Sequence, residues 1–187
     1  EKAVADAKAA DTPEKRRGVG IAWGGFNVTE GGGDSAEVAL ELMPGNKIRK
    51  YDTWHAMGQG ATTGSLVVTL EALKEMHLTP EDIQLIQNDT KTCPDTGMAG
   101  ASRSLYMDGN ATIIAANKLL AAMRKEDGTL RTYDEMKAEG IETKYLGRYE
   151  TNTTPGLCRL DPNTGIGDPT PAFTYCLNLA EVEVDTK

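Results

Sequence analysis

No stretch of the chain approaches the roughly 18 consecutive apolar residues that a membrane-spanning helix needs. No charged-then-apolar leader stands at the N-terminus either. Cysteine is scarce: Cys93, Cys158 and Cys176 are odd in number and follow no repeating spacing, which argues against a disulfide framework. There is no Cys-x-x-Cys, and the two histidines, His55 and His77, stand far apart. This argues against a structural zinc site or an iron–sulfur cluster built from this chain. Positive charge is also in deficit, with 20 Lys and Arg against 28 Asp and Glu and a formal net charge of -8. A broad nucleic-acid surface needs the opposite sign to displace counterions, whereas a local pocket for a small phosphate ligand does not. Four Asn-x-Thr triplets, at Asn27, Asn88, Asn110 and Asn152, carry no weight without secretion. Together these features suggest a reducing, cytoplasmic setting. Several catalytic signatures are missing as well. There is no G-x-x-x-x-G-K-[ST] loop and no Gly-x-Ser-x-Gly elbow, and Gly18-Val19-Gly20 lacks the third glycine of a dinucleotide fingerprint.

What remains is a 187-residue chain, 39% hydrophobic and 26% charged, rich in glycine (20) and poor in aromatic residues (5%). It is long enough for one domain with a substantial core, or for two small ones. Residues 2–10 read as a helical tail and 14–17 as a charged linker, so that 1–15 stands apart from the rest. Gly18 to Val28 reads as a glycine-interrupted strand, followed by a flexible turn at Gly31-Gly32-Gly33. Ser35 to Met43 alternates, with Val38, Leu40 and Leu42 on one side, as in a half-buried strand. Pro44-Gly45-Asn46 turns the chain into a returning strand over Lys47 to Trp54.

The period then changes. Leu66, Val67, Leu70 and Leu73 predict a helix over 61–76, and Ile83 to Gln87 a short strand. A polar loop spans 88–100. A long helix is expected over 101–125, with Ile113, Ile114, Asn117, Leu120 and Ala121 on one face. Thr132 should cap a short helix over 133–138, and 143–151 and 172–184 read as strands around a turn-rich 153–171. The sum is an α+β fold: a mixed or antiparallel sheet with a long helix and shorter helices packed on it.

Two places carry chemistry. Gly58-Gln59-Gly60 lies where the returning strand meets a helix. Two glycines let the backbone come close to a ligand, and the helix N-terminus behind them offers N–H groups and a partial positive charge. The bland alternative is a tight turn with an exposed Gln. The second place is the small-residue loop before the long helix, where Gly100, Ala101, Ser102 and Arg103 add a hydroxyl and a guanidinium to another helix N-terminus. Here the alternative is an ordinary Ser or Thr N-cap. Asp95-Thr96-Gly97 matches the aspartic-protease tripeptide, but no second copy exists to form the carboxylate pair, so it reads as coincidence. A free-standing small-ligand or phosphate-binding module without redox activity remains an alternative that the same helix ends would serve.

The run from Trp54 through Gly58-Gln59-Gly60-Ala61, then Asn88-Asp89-Thr90-Lys91-Thr92-Cys93-Pro94-Asp95-Thr96-Gly97, Gly100-Ala101-Ser102-Arg103 and Gly109-Asn110-Ala111, resembles the molybdenum-binding large segment of the xanthine dehydrogenase and aldehyde oxidase family, its bacterial aldehyde oxidoreductase branch in particular. Thr132 to Lys137 and Ala180 to Asp185 continue the likeness, which spans about Arg16 to Asp185. The resemblance implies a molybdopterin cofactor, as the cytosine dinucleotide, held by Gly58, Gln59, Gly60, Ala61, Gly100, Ala101, Ser102 and Arg103. It implies a parent oxidoreductase that hydroxylates aldehydes or heterocycles with water as oxygen source. Cys93 and Met98-Ala99 depart from the family pattern. The segments expected to supply the catalytic glutamate, line the metal and carry iron–sulfur clusters are absent from this sequence. The expectation is a piece of a molybdopterin-cofactor-binding domain over 1–187, inactive alone. Its expected partners are the remaining domains of the parent and a small-molecule substrate, not nucleic acid or membrane, and the isolated chain is expected to self-associate.

Overall fold

The computed structural model describes residues 1–28, 34–151, 161–167, 170 and 172–187. The glycine turn at 31–33, Cys158 and most of the turn-rich 153–171 lie outside them. The described chain divides into two compact units, Glu1–Asn27 with Ala172–Lys187, and Val28–Pro171.

The smaller unit holds helix α1 (Lys2–Ala9) and the long strands β1 (Lys15–Val28) and β6 (Ala172–Asp185), paired as a two-stranded ribbon. The expected charged linker at 14–17 is strand from Lys15 onward. Those cations have partners in β6: Glu183 accepts from Lys15 Nζ at 2.6 Å and from Arg17 Nε at 2.7 Å. Both bonds hold the Glu183 carboxyl below its ordinary range. Thr186 N–H donates to the Glu14 carbonyl, and a Cβ on Gly25 would touch the Tyr175 ring, so the two strands run antiparallel. Ile21, Trp23, Tyr175, Leu177 and Leu179 are all between 61% and 74% exposed.

The larger unit contains a four-stranded sheet of order β4-β3-β2-β5. Strands β2 (Ser35–Met43) and β3 (Lys47–Asp52) form the expected hairpin around Pro44–Asn46, where Gly45 and Asn46 adopt positive φ. Helix α2 (Ala61–Ala72) then crosses over to β4 (Ile83–Gln87), which lies parallel to β3. Helix α3 (Arg103–Met123) and the short α4 (Tyr133–Ala138) lead to β5 (Lys144–Glu150), antiparallel to β2 on its other side. Thr132 caps α4 as expected, its hydroxyl accepting from Glu135 N–H. The sheet is mixed, as an α+β reading requires.

Helix α3 packs on β2 and β5 and beside α2. It uses the face expected from its large apolar residues only in part. Leu120 is buried as expected and Ile114 half-buried, but Ile113 is 46% exposed and Asn117 and Ala121 lie outside, whereas Met107, Ala111, Ala115, Ala116, Leu119 and Met123 are buried. The reason is distance. A Cβ built on Gly147 of β5 would lie 2.0 Å from the Ala111 carbonyl oxygen and 2.5 Å from Ala115 N. Helix backbone rests on sheet backbone there, so the inward face must carry small residues. Leu40, Leu42, Ile48, Leu73 and Leu119 fill the main core to one side. Val67, expected inside α2, is exposed; α2 instead turns Ser65 and Thr69 inward.

Those inward hydroxyls border a buried ionic cluster. Lys50, Asp52 and Asp108 are fully buried. Lys50 Nζ lies 2.7 Å from Asp108 Oδ1 and 3.1 Å from Asp52 Oδ2. Ser65 Oγ donates to Asp52 Oδ2 at 2.7 Å, and Gln87 Nε2 to Asp52 Oδ1 at 2.8 Å. Thr112 Oγ1 donates to Asp108 Oδ1. Burial pushes the Asp108 carboxyl up to about 6, with the Lys50 charge opposing the rise and the Asp52 charge adding to it.

Two outcomes follow. Gly147→Ala is expected to cost about 3 kcal/mol or more in urea unfolding, because the helix must lift off the sheet. For Asp108 the folded pKa lies above the ordinary value of 3.8. Its contribution is therefore complete below that value and lost as pH rises through about 6. Stability measured by denaturant titration should fall over this window by on the order of 2–3 kcal/mol from this group, and Asp108→Asn should remove that part of the slope.

Candidate functional site

An open pocket of about 420 Å³ lies in the larger unit, between the loop that enters α2 and the loop that enters α3. Six of the residues singled out from the sequence line it: Gln59, Gly60 and Ala61 from the first loop, and Gly100, Ala101 and Ser102 from the second. Trp54, Met57 and Gly64 complete one wall, and Ala99, Ser104 and Leu105 the other. The wall is mostly apolar or backbone. The two loops, about 40 residues apart, are thus brought together by the β3–α2–β4 crossover and the return into α3.

The first wall follows from its glycines. Gly58 and Gly60 have φ of 99° and 82°, which only glycine adopts without strain, and the space beside each is open. The Gln59 side chain folds back on its own loop. Its Nε2 donates to the His55 carbonyl at 3.0 Å, and its Oε1 accepts from Met57 N–H. Gln59 thereby braces the turn from inside. The indole of Trp54, itself only 5% exposed, packs where a Cβ on Gly64 would lie 3.4 Å from the ring. Gly64 is a helical glycine because that ring sits against it.

The second wall rests on Arg103, and here the structure departs from the sequence reading. Arg103 is not part of the pocket lining; its side chain is buried under the loop. All five guanidinium N–H groups are used within the chain. Nε and Nη2 grip the Asp34 carboxylate at 2.6 and 2.7 Å, and Nη2 also donates to the Ser35 carbonyl at 2.8 Å. Nη1 donates to the carbonyls of Thr96 and Met98 at 2.9 and 2.7 Å. The guanidinium is a strut for the loop, with nothing left to offer an anion. Gly97 must be glycine beneath it: φ is 77°, and a Cβ would lie 2.7 Å from Nη2. Gly58 likewise stays out of the lining.

The Asp95-Thr96-Gly97 tripeptide has a structural role. Asp95 Oδ1 accepts from Gly97 N–H at 2.8 Å. The buried Thr96 hydroxyl accepts from Thr53 N–H at 3.0 Å and donates to the Glu37 carbonyl at 2.9 Å. Cys93 is tied down too, its Sγ donating to the Ile86 carbonyl at 3.2 Å. The loop is pinned at successive points.

Past the strut the backbone is strained. Ala101 and Ser102 both adopt left-handed φ, at 44° and 52°. Each such non-glycine residue costs of the order of 1 kcal/mol and persists where its surroundings impose it. The Ser102 side chain does not cap α3, and no side chain caps α2 at Gly60. Both helices therefore reach the pocket with first-turn N–H groups unclosed by a side chain, contrary to the ordinary N-cap alternative. Small residues, open positive-φ glycines and two such helix ends suit a flat heterocycle carrying phosphate. Trp54 and Gly64 carried the signal that composition missed. They stand within one turn of the glycine motif, but nothing in their spacing separates a wall from core packing. Among the described residues no group of His, Cys, Asp and Glu is arranged to hold a metal ion, and no helix is long and apolar enough to cross a membrane.

Comparison with known proteins gives the chain a family. A family model described as the molybdopterin cofactor-binding domain matches residues 1–187. Aldehyde oxidoreductase of Megalodesulfovibrio gigas is 36% identical over 183 residues, covering 98% of this chain and 20% of that protein. Among solved structures, the aldehyde oxidoreductase from Desulfovibrio desulfuricans superposes with a TM-score of 0.83 at 36% identity. That from Desulfovibrio gigas superposes with a TM-score of 0.85 at 35% identity. Each match covers 98% of this chain and 20% of the other. The chain thus spans about one fifth of the length of these relatives. By sequence and by fold, the chain belongs to the molybdopterin cofactor-binding domain family.

Proposed function

We propose that the pocket between the two helix ends holds part of a molybdopterin, as its cytosine dinucleotide, within a larger cytoplasmic oxidoreductase acting on aldehydes or heterocycles. The observation that carries this reading is the convergence of two uncapped helix N-termini on one pocket of small residues. When bound, the cofactor supplies the molybdenum centre at which substrate is hydroxylated with oxygen from water. This chain supplies retention. The backbone at Gly60 and Ala61 and at Gly100, Ala101 and Ser102 meets the pterin and its phosphates, and Trp54 walls the pocket beside it. Gly58 and Gln59 shape the first loop, and Arg103 holds the second from behind. The catalytic glutamate belongs to the remaining domains of the parent, so the isolated chain is inactive. Iron–sulfur clusters, where the parent has them, lie in those domains too.

The same domains are the natural cover for the β1/β6 ribbon. An isolated two-stranded ribbon is marginal in water, and a contiguous apolar face of this kind marks an interaction surface. Alone, the chain should self-associate through it.

Three outcomes test this reading. The full-length parent should contain molybdenum and release a fluorescent pterin on oxidation. A parent lacking both, yet binding another nucleotide tightly, would establish the redox-free module instead. In the molybdenum-containing parent, Arg103→Lys and Gly97→Ala should each lower pterin content about tenfold, with turnover per bound molybdenum nearly unchanged; full occupancy in both variants would remove the strut. By light scattering the 187-residue chain should exceed its 20.1 kDa monomer mass, and Trp23→Lys with Tyr175→Lys should return it to monomer.

A further inference from the structure

A buried ionic cluster adjoins Trp54 of the pocket wall. Replacing a buried ion pair by apolar residues is often neutral or stabilising, and this cluster holds one cation against two carboxylates. Asp108 Oδ2 has no hydrogen-bond partner among the described residues. Its place in the fold accounts for what it joins. Lys50 and Asp52 end β3, and Trp54, two residues on, is the first wall of the pocket. Asp108 lies on α3 just past Ser104 and Leu105, which belong to the second wall.

The contacts run from the cluster to both walls. Asp52 Oδ1 accepts from Trp54 N–H at 3.4 Å, and Lys50 Nζ stands 5.5 Å from the centre of the Trp54 ring. Asp108 is bound to Lys50 directly and to Thr112 one turn further along α3. Through Ser65 and Gln87, Asp52 also ties in α2 and β4. The charged groups acting on Asp108 are Lys50 and Asp52, both from β3. The side chains that α2 and β4 present to the cluster, Ser65 and Gln87, are neutral.

We infer that Lys50, Asp52 and Asp108 form a positioning element that sets the spacing of the two pocket walls, and that its charge balance governs how firmly the pocket holds an anionic ligand. With both carboxylates ionised the cluster carries one surplus negative charge, which works against phosphate and pushes the α3 and β3 carboxylates apart. A proton on Asp108 leaves a balanced Lys50–Asp52 pair. The inference rests on the pocket being the cofactor site, and the test separates the two.

The test follows the rate of pterin loss on dilution of the full-length parent, from about pH 5 to about pH 8. Wild-type loss should accelerate several-fold as pH rises through about 6. Asp108→Asn, which mimics the protonated acid, should lose pterin slowly and without pH dependence. Thr112→Val removes a hydroxyl that favours the ionised form, and should move the wild-type midpoint to higher pH. Lys50→Met should lose pterin roughly tenfold faster at about pH 5 and without the wild-type pH dependence, since the two remaining carboxylates share a proton and keep one uncompensated negative charge. Simple structural support would slow or speed loss uniformly and leave the pH profile in place. An Asp108→Asn parent with the wild-type profile overturns the inference, as does a folded Lys50→Met parent with the wild-type rate. Should Lys50→Met fail to fold, the Asp108→Asn and Thr112→Val profiles decide. A wild-type parent that carries no pterin at any pH overturns the functional reading, and is seen before any variant is made.

Discussion

The larger unit depends on how closely α3 lies on the sheet. At Gly147 the strand offers no side chain, and the helix backbone at Ala111 and Ala115 occupies the space a Cβ would need. A helix at ordinary distance would leave Asp108 short of Lys50, and Arg103 short of Asp34 across the loop. Both long-range ionic contacts of α3 exist because its axis is drawn down by small residues. The apolar core then fills the wedge beyond, through Leu119, Leu120 and Met123. Packing here is the cause and polar chemistry the consequence.

From that helix the pocket is built by subtraction. Its two helix ends lack side-chain caps, its nearest glycines leave space open, and the one guanidinium close by is consumed underneath. What faces the opening is backbone, small side chains, one indole and the uncharged side chains of Met57, Gln59 and Leu105. Such a surface has little charge of its own, which agrees with a chain of net charge -8 holding a phosphate-bearing group. On the proposed reading, affinity for the anion comes from oriented peptide dipoles, and these do not appear in any count of Lys and Arg.

Much of this was legible in the sequence because it was written in turns and alternation. Pro44-Gly45-Asn46, the alternation of Val38, Leu40 and Leu42, and the Thr132 cap each specify local geometry, and each took its expected place. The two glycine-rich loops were legible for the same reason. What escaped was set at a distance. The inward face of α3 was misread in part because Ile113 and Ile114 outweigh alanines on any hydropathy argument, whereas a backbone-to-backbone contact selects against them. The role of Arg103 was misread because sequence reports a cation near a helix end, and not that Asp34 lies within reach. Lys50, Asp52 and Asp108 gave no signal at all. In β3, Lys50 and Asp52 alternate as solvent-facing residues would, and only α3, which brings Asp108, turns that face inward.

The strut has a further consequence, for the order of assembly. Arg103 meets Asp34 across 69 residues of chain, and Thr96 meets Glu37 across 59. Contacts so distant in sequence close only after the segments between them have found their places. The strained turn at Ala101 and Ser102 is closed locally by the Arg103 N–H on the Gly100 carbonyl, but its anchor on Asp34 comes from far along the chain. The second wall of the pocket therefore comes into being late, after hairpin, crossover and helix are in place. A ligand that needs both walls meets a folded domain, and its insertion is a step that follows folding instead of guiding it.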